Sequence, residues 1–211
     1  MESHPNSKRT PPGKNARDTG EDRMPASGPI PLYYQRNLPH WQPAGRAIFL
    51  TWRLFGSLPA AVLRRISTMA RDSGKQFLAV DKSLDRAETG PLWLKEAAIA
   101  TCVLDALHKG AGQLNLFALH AFVIMANHVH ILIEPAAPLS RITKGIKGAA
   151  SREANRILGR TGQPFWQDES FDHWVRSGAQ FDRIRAYIEH NPVAAGLAAT
   201  REEWPWSSAH M

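Results

Sequence analysis

Two histidines one residue apart, His128 and His130, lie within the apolar run Phe122-Val123-Ile124-Met125-Ala126-Asn127-His128-Val129-His130-Ile131-Leu132-Ile133. Side chains alternate along a strand, so both imidazoles project from one face while Val129, Ile131 and Ile133 project from the other. An all-aliphatic face is what a sheet packs against helices, which leaves the histidine face free for chemistry. Imidazoles at this spacing can hold one divalent metal ion in a fixed bite, provided a third ligand arrives from elsewhere in the fold. The bland reading of the motif alone is a strand histidine hydrogen-bonded to a neighbour.

The elements that would position the pair can be read in chain order. Arg46 to Leu54 is rich in aromatic and branched residues and ends at Gly56, a strand followed by a turn. Pro59 opens a helix from Ala60 to about Arg71, with Val62, Leu63, Ile66 and Met69 at helical spacing. Gln76 to Val80 reads as a weak extended piece and Asp81 to Gly90 as a loop. Pro91 to about His108 is a helix with Leu94, Ala97, Ala98, Ala100, Val103, Leu104 and Leu107 on its core side. Leu114 to Met125 and His128 to Glu134 form two strands joined by a tight turn at Ala126-Asn127. Ser140 to about Leu158 is helical, and Pro164 to Val175 is an aromatic-dense extended segment. A last helix from about Ala179 should end at Asn191, because Pro192 disfavours a helical conformation before it. The order β-α-α-β-β-α-β-α predicts an α+β fold, an antiparallel sheet with packed helices of the ferredoxin-like or RNA-recognition-motif-like kind.

Charge points to a polyanionic partner. The 211 residues carry 26 Lys and Arg against 19 Asp and Glu, a formal charge of +7. The segment from Met1 to about Ile30 is rich in Pro, Gly, Ser and Asn, lacks aromatic residues and has no apolar core, which predicts a disordered tail rather than a signal peptide. Its Lys8, Arg9, Lys14, Arg17 and Arg23 nearly balance Glu2, Asp18, Glu21 and Asp22, so most of the positive charge belongs to residues 31–211, expected to form one domain. On the helix after the histidines, Ile142, Ile146, Ala150, Ala154 and Ile157 form one side. Arg141, Lys144, Lys147, Arg152, Arg156 and Arg160 mostly occupy the other, with only Glu153 as counter-charge. That basic side is either a solvated surface or a phosphate-binding one. The single cysteine, Cys102, sits among Ala100, Val103 and Leu104 as a small buried residue, in keeping with a reducing cytoplasm. No stretch of about 18 uncharged apolar residues suggests a membrane span.

On the last helix Phe181, Ile184 and Ile188 form the buried stripe, and Tyr187 and Asn191, four apart, share its flank. The tyrosine could simply bury its ring and leave its hydroxyl in water.

Taken together, Val123 to His130, Phe165-Trp166-Gln167, Asp172-His173-Trp174-Val175-Arg176, Tyr187-Ile188-Glu189-His190-Asn191-Pro192-Val193-Ala194-Ala195-Gly196-Leu197 and Trp204-Pro205-Trp206-Ser207-Ser208 resemble the REP-associated tyrosine transposases. That group lies within the HUH single-tyrosine transposases, named for a histidine-hydrophobe-histidine motif. The resemblance spans about Gly45 to Ser208 and includes Thr51 to Pro59; it departs at Ala126, where relatives often have proline. It implies an HUH endonuclease fold, with His128 and His130 as metal ligands, Tyr187 as nucleophile and Asn191 as third ligand. It further implies a bacterial, cytoplasmic, nucleoid-associated enzyme, monomer or homodimer, that binds hairpins of repetitive extragenic palindromes and cleaves and rejoins single-stranded DNA.

That role fits the chemistry of the residues. A tyrosine hydroxyl titrates near 10, so only about one molecule in a thousand is phenolate at neutral pH. A divalent ion on the two imidazoles and the amide oxygen would polarise the scissile phosphate for in-line attack by Tyr187. Mg²⁺ or Mn²⁺ suits this ligand set, and the nitrogen donors favour Mn²⁺. Attack would leave a 5′-phosphotyrosine and a free 3′-hydroxyl, a stored ester that permits rejoining without ATP. The DNA would be held by Arg141, Lys144, Lys147, Arg152, Arg156 and Arg183, with bases stacked on Trp166 and Trp174, and His173 either supports the site or is structural. Two alternatives make different demands on the residues: a non-catalytic hairpin-binding protein, and a metal-dependent phosphoesterase for small substrates in which Tyr187 is dispensable.

Overall fold

The computed structural model describes residues 33–35, 39–41, 45–68, 73–87, 89–168 and 170–211. The expected N-terminal tail lies outside them. Strands β1 (Tyr33–Gln35) and β2 (Pro39–Trp41) pair as a small antiparallel hairpin. They are followed by β3 (Ile48–Arg53), α1 (Ala60–Ser67), α2 (Ser73–Asp85), α3 (Ala97–His108), β4 (Phe117–Ile124), β5 (His128–Pro135), α4 (Leu139–Ile157), β6 (Phe171–Trp174) and α5 (Gly178–Ala194). The main sheet has the order β4-β5-β3-β6, antiparallel throughout, the expected α+β architecture.

Strand β5 is central, and its alternation organises the molecule. Val129, Ile131 and Ile133 share a face with Ile48, Leu50 and Trp52 of β3 and with Phe122 and Ile124 of β4. Against that face pack Ile99, Val103 and Leu107 of α3 and Ile142, Ile146, Ala150 and Ala154 of α4, their spacing of three or four residues forming single apolar stripes. The opposite face holds His128, His130 and Leu132, flanked by Phe49, Val123 and Met125. Contrary to the sequence expectation this face is not free: Ile188 and Tyr187 of α5 and Phe77 of α2 pack over it.

Helix α2 replaces the extended piece and loop expected over Gln76 to Asp85. Its inward positions are Phe77, Asp81 and Leu84, at i, i+4 and i+7. One of the three is a carboxylate, which breaks the apolar period and hides the helix. Phe77 stacks on Phe171, centroids 4.2 Å apart, and meets Phe49 edge-on, while Asn127 Nδ2 donates to the Leu84 carbonyl at 3.0 Å. The Leu84 contact also fixes the turn that starts β5.

The last helix also differs, running through Pro192 to Ala194. A proline near the final turn removes only its own N–H donor. The chain still closes that turn through Ala195 N–H to the Asn191 carbonyl and Leu197 N–H to the Pro192 carbonyl. At its start the Ser177 hydroxyl accepts from Gln180 N–H, an N-cap. Beyond α5 the chain returns to the free side of β4. There Ile124 N–H donates to the Trp206 carbonyl, Ser208 N–H to the Phe122 carbonyl, and Trp204 Nε1 to the Ile124 carbonyl. Cys102 is half-buried rather than buried, its thiol donating to the Ala98 carbonyl. No helix among the described residues is long and apolar enough to cross a membrane.

Candidate metal and nucleophile centre

The registers Thr51 to His130 and Arg53 to His128 set β3 beside the histidines. Both imidazoles are fully buried. His128 Nδ1 lies 2.7 Å from Asn127 Oδ1, and His130 Nδ1 lies 2.6 Å from the Thr51 hydroxyl. Asn127 Oδ1 can only accept, so His128 carries its proton on Nδ1 and presents Nε2 as a lone pair. Burial, then the neighbouring His130, pushes the His128 imidazole down to about 3 against the pull of Asp81, which keeps it in the neutral, ligating form. The two Nε2 atoms face each other at 3.0 Å.

Asp81, from the unforeseen helix, completes the cluster. Its Oδ1 lies 3.2 Å from His130 Nε2 and 3.6 Å from His128 Nε2. Burial would raise the Asp81 carboxyl, but the imidazoles of His130 and His128 and a hydrogen bond from the Asn191 side chain turn the balance and hold it below the usual range. One turn further, the Oδ1 of Asp85 lies 3.7 Å from His128 Nε2, and burial followed by the charge of Asp81 pushes that carboxyl up to about 7.

Donors on one ion at about 2.0–2.2 Å stand roughly 3.0 Å apart at right angles and about 3.4 Å apart in a tetrahedron. The separations among His128, His130 and Asp81 match that spacing. Asp81 Oδ1 and Asn191 Oδ1 are moreover buried acceptors without a hydrogen-bond partner, an expensive arrangement unless a cation answers them. Among the described residues, Asp81, His128 and His130 form a buried group that can hold a metal ion, and the residues fit such an ion well.

Tyr187 points its hydroxyl into this cluster and donates to Asp81 Oδ2, so the hydroxyl is not left to water. Its half-buried ring stands edge-on to His130, centroids 5.8 Å apart. Asn191, one turn on, is 3% exposed. The fold thus brings together all four residues singled out as metal or nucleophile candidates. Three others escaped the sequence reading. Asp81 and Asp85 sat in an expected loop, where only their spacing of four, on a helix not recognised, could have signalled a shared face. Arg53, half-buried opposite His128 and bonded to the Ser57 hydroxyl at 3.1 Å, looked like the polar end of a strand.

The proposed DNA-contacting residues divide. Arg141, Lys144, Arg152 and Arg183 are exposed, as is Arg156, which is paired with Glu153 at 2.5 Å. Lys147 Nζ donates to the carbonyls of Gln167 and Asp168 at 2.7 and 3.0 Å, clamping α4 to the segment before β6. Trp166 corrects the expectation of base stacking. It is 7% exposed, sends its indole N–H to the Lys147 carbonyl at 3.0 Å and packs edge-on against Trp52 and Phe165, so its faces serve the core. Trp174, half-buried, has Arg176 over its ring, and His173 Nε2 meets the Gln180 amide at 2.8 Å. Between α4 and residues 163–172 runs a groove of about 750 Å³, flanked by Thr143, Lys144, Ser151, Gln167 and Asp168.

An open antiparallel sheet bearing paired buried histidines, a carboxylate and a phenol defines an α+β protein with a metal-capable centre. Residues 96–191 match the family model described as transposase IS200 like, in keeping with the resemblance that the motifs carry. The matched stretch includes His128, His130, Tyr187 and Asn191 but not Asp81. A REP-associated tyrosine transposase, solved bound to a REP hairpin, has a similar fold, with a TM-score of 0.52 and 16% identity over 83% of this chain and 84% of that one. A candidate transposase from Deinococcus radiodurans R1 aligns at 18% identity over 69% of this chain and 89% of its own, with a TM-score of 0.38, too low to bear on the fold. No curated protein sequence matches the chain.

Proposed function

We propose that residues 31–211 act as one catalytic unit in the bacterial cytoplasm that cleaves and rejoins single-stranded DNA beside a hairpin, through a covalent bond to Tyr187. The observation that carries this reading is the Tyr187 hydroxyl hydrogen-bonded into the buried cluster of Asp81, His128, His130 and Asn191. A structural tyrosine has no need of four polar partners beneath it. The match of residues 96–191 to the IS200-like transposase model supports transposition chemistry, and the similar transposase solved with a REP hairpin suggests the kind of DNA.

His128, His130 and Asp81, with Asn191, would hold the ion; bound there, Mg²⁺ or Mn²⁺ supplies a Lewis acid for a phosphate oxygen. Asn127 and Thr51 fix the imidazole rings, so the ligand nitrogens need no reorganisation. Asp81 orients the phenol and is the nearest acceptor for its proton. As the Tyr187 oxygen bonds to phosphorus, the bond from phosphorus to the 3′-oxygen breaks, and that oxygen leaves as a hydroxyl after taking a proton. Reversal of the same step rejoins strands. Arg53 beside His128 and the exposed Lys144 and Arg141 supply positive charge for the phosphates.

Incubation with labelled single-stranded hairpin DNA, with and without Mn²⁺, followed by denaturing electrophoresis, tests the reading. A covalent adduct should form only with the metal, and Tyr187→Phe should abolish it while hairpin binding stays nearly intact. Salt-sensitive binding with no metal-dependent nicking would leave a hairpin-binding protein instead.

A further inference from the structure

Among the groups that tie helix α2 to the sheet is a carboxylate shared between the two halves of the candidate centre. Asp81 Oδ1 faces the imidazole nitrogens of His130 and His128 at 3.2 and 3.6 Å, while Asp81 Oδ2 receives the Tyr187 hydroxyl. Its other inward groups are Phe77, stacked on Phe171, Leu84, whose carbonyl receives Asn127, and Asp85, 3.7 Å from His128 Nε2. We infer that Asp81 is a metal ligand that also positions the nucleophile, so that ion binding docks α2 onto the histidine face and fixes the phenol at the ion. This rests on the metal-site reading above and extends it, because Asp81 falls outside the stretch that matches the transposase family.

The physical argument is one of unanswered lone pairs. Two imidazole nitrogens and one carboxylate oxygen converge at 3.0 to 3.6 Å in a buried space, with at most one proton, on His130 Nε2, to share among them. The lone pairs that this proton does not answer repel. A divalent ion in its place answers all three at once and joins His128 and His130 of β5 to Asp81 of α2. Ion binding therefore joins α2 to the rest of the fold more strongly than Phe77 and Leu84 do alone. A carboxylate bridging ion and phenol also fixes how far the nucleophilic oxygen stands from the ion, a distance that in-line attack depends on.

The test is Mn²⁺ titration by calorimetry on the full chain, paired with amide hydrogen exchange of residues 75–85 with and without Mn²⁺. Asp81→Asn keeps size and shape, and a metal-free melting curve like that of the parent shows that it folds. Its Mn²⁺ affinity should fall about tenfold or more, and the protection that Mn²⁺ confers on residues 75–85 in the parent should disappear. His130→Ala should lose both responses, and Tyr187→Phe should keep both. Unchanged Mn²⁺ affinity in Asp81→Asn, or Mn²⁺ binding to the parent without added protection of α2, overturns the inference. Failure of the Tyr187 reading looks different: the DNA adduct would persist in Tyr187→Phe while the metal responses stood as described.

Discussion

The two faces of β5 are built from alternating residues of the same eight, yet they behave as different materials. Val129, Ile131 and Ile133 meet only hydrocarbon, and helices α3 and α4 cover them with matching apolar stripes. His128 and His130, interleaved with them, are equally buried but meet oxygen and nitrogen, and one of the helices above them turns a carboxylate inward. Burial on the first side is its own reward, because removing apolar surface from water is favourable in proportion to area. On the second side burial is costly unless every polar atom finds a partner, and the Oδ1 atoms of Asp81, Asp85 and Asn191 do not. The contrast teaches that full burial alone does not mark a residue as structural.

The sharpest way to break this contrast is to remove one imidazole. His130→Ala should lower metal-dependent strand cleavage by about a thousandfold or more, corresponding to roughly 4 kcal/mol of transition-state stabilisation; cleavage kept within tenfold of the parent would remove the pair from the chemistry. On the aliphatic side, Ile131→Ala should cost about 2–5 kcal/mol of folding stability in urea unfolding, because α3 and α4 cannot both close the cavity. A loss under 1 kcal/mol would mean that this face is not the tightly packed one.

Titration probes the polar side more finely. His128 sits at about 3 in the folded metal-free protein against about 6.5 unfolded, so its stabilising contribution is complete above pH 6.5 and is lost as pH falls from there towards 3. Asp85, pushed up to about 7, works in reverse: its contribution is complete below about pH 4 and is lost as pH rises through 7. Between about pH 4 and 6.5 the two slopes oppose, each at most about 1.4 kcal/mol per pH unit. Urea unfolding of the metal-free parent should therefore show nearly level stability across that window. Asp85→Asn should instead gain stability steadily as pH rises from 4 to 6.5, and a level profile in the variant would contradict the opposed pair.

The smallest expected effect concerns the groove by α4. Lys144→Ala should weaken hairpin binding alike for all sequences and reduce the dependence of log affinity on log salt by about one. A sequence-selective loss would assign Lys144 to base contact instead.

What could be read from the chain follows the same division. The strands, α3 and α4 were legible because the positions they turn to the main core, such as Val129, Ile131, Val103 and Ile146, are apolar, so the periods of two and 3.6 show through. Helix α2 was illegible because Asp81 stands where a Leu would have completed Phe77 and Leu84. The histidines, Tyr187 and Asn191 stood out by motif, and their convergence followed from the sheet carrying β5 and α5 on the same face. Trp166 misled because an aromatic next to a basic helix looks like a stacking platform, and nothing in its neighbours reveals that its indole N–H ties down the Lys147 carbonyl. Pro192 misled because its penalty applies in full only to a helix interior.

The strip of chain from Trp204 to Ser208, bonded along β4, has its own bearing on how copies of the protein meet. It occupies the outward backbone groups of Phe122 and Ile124, through which another molecule's strand would extend this end of the sheet. Any assembly that joined two sheets across that end of β4 would first have to peel this strip away. A deletion of residues 204–211 should therefore increase self-association, through the part of the margin that the strip now covers.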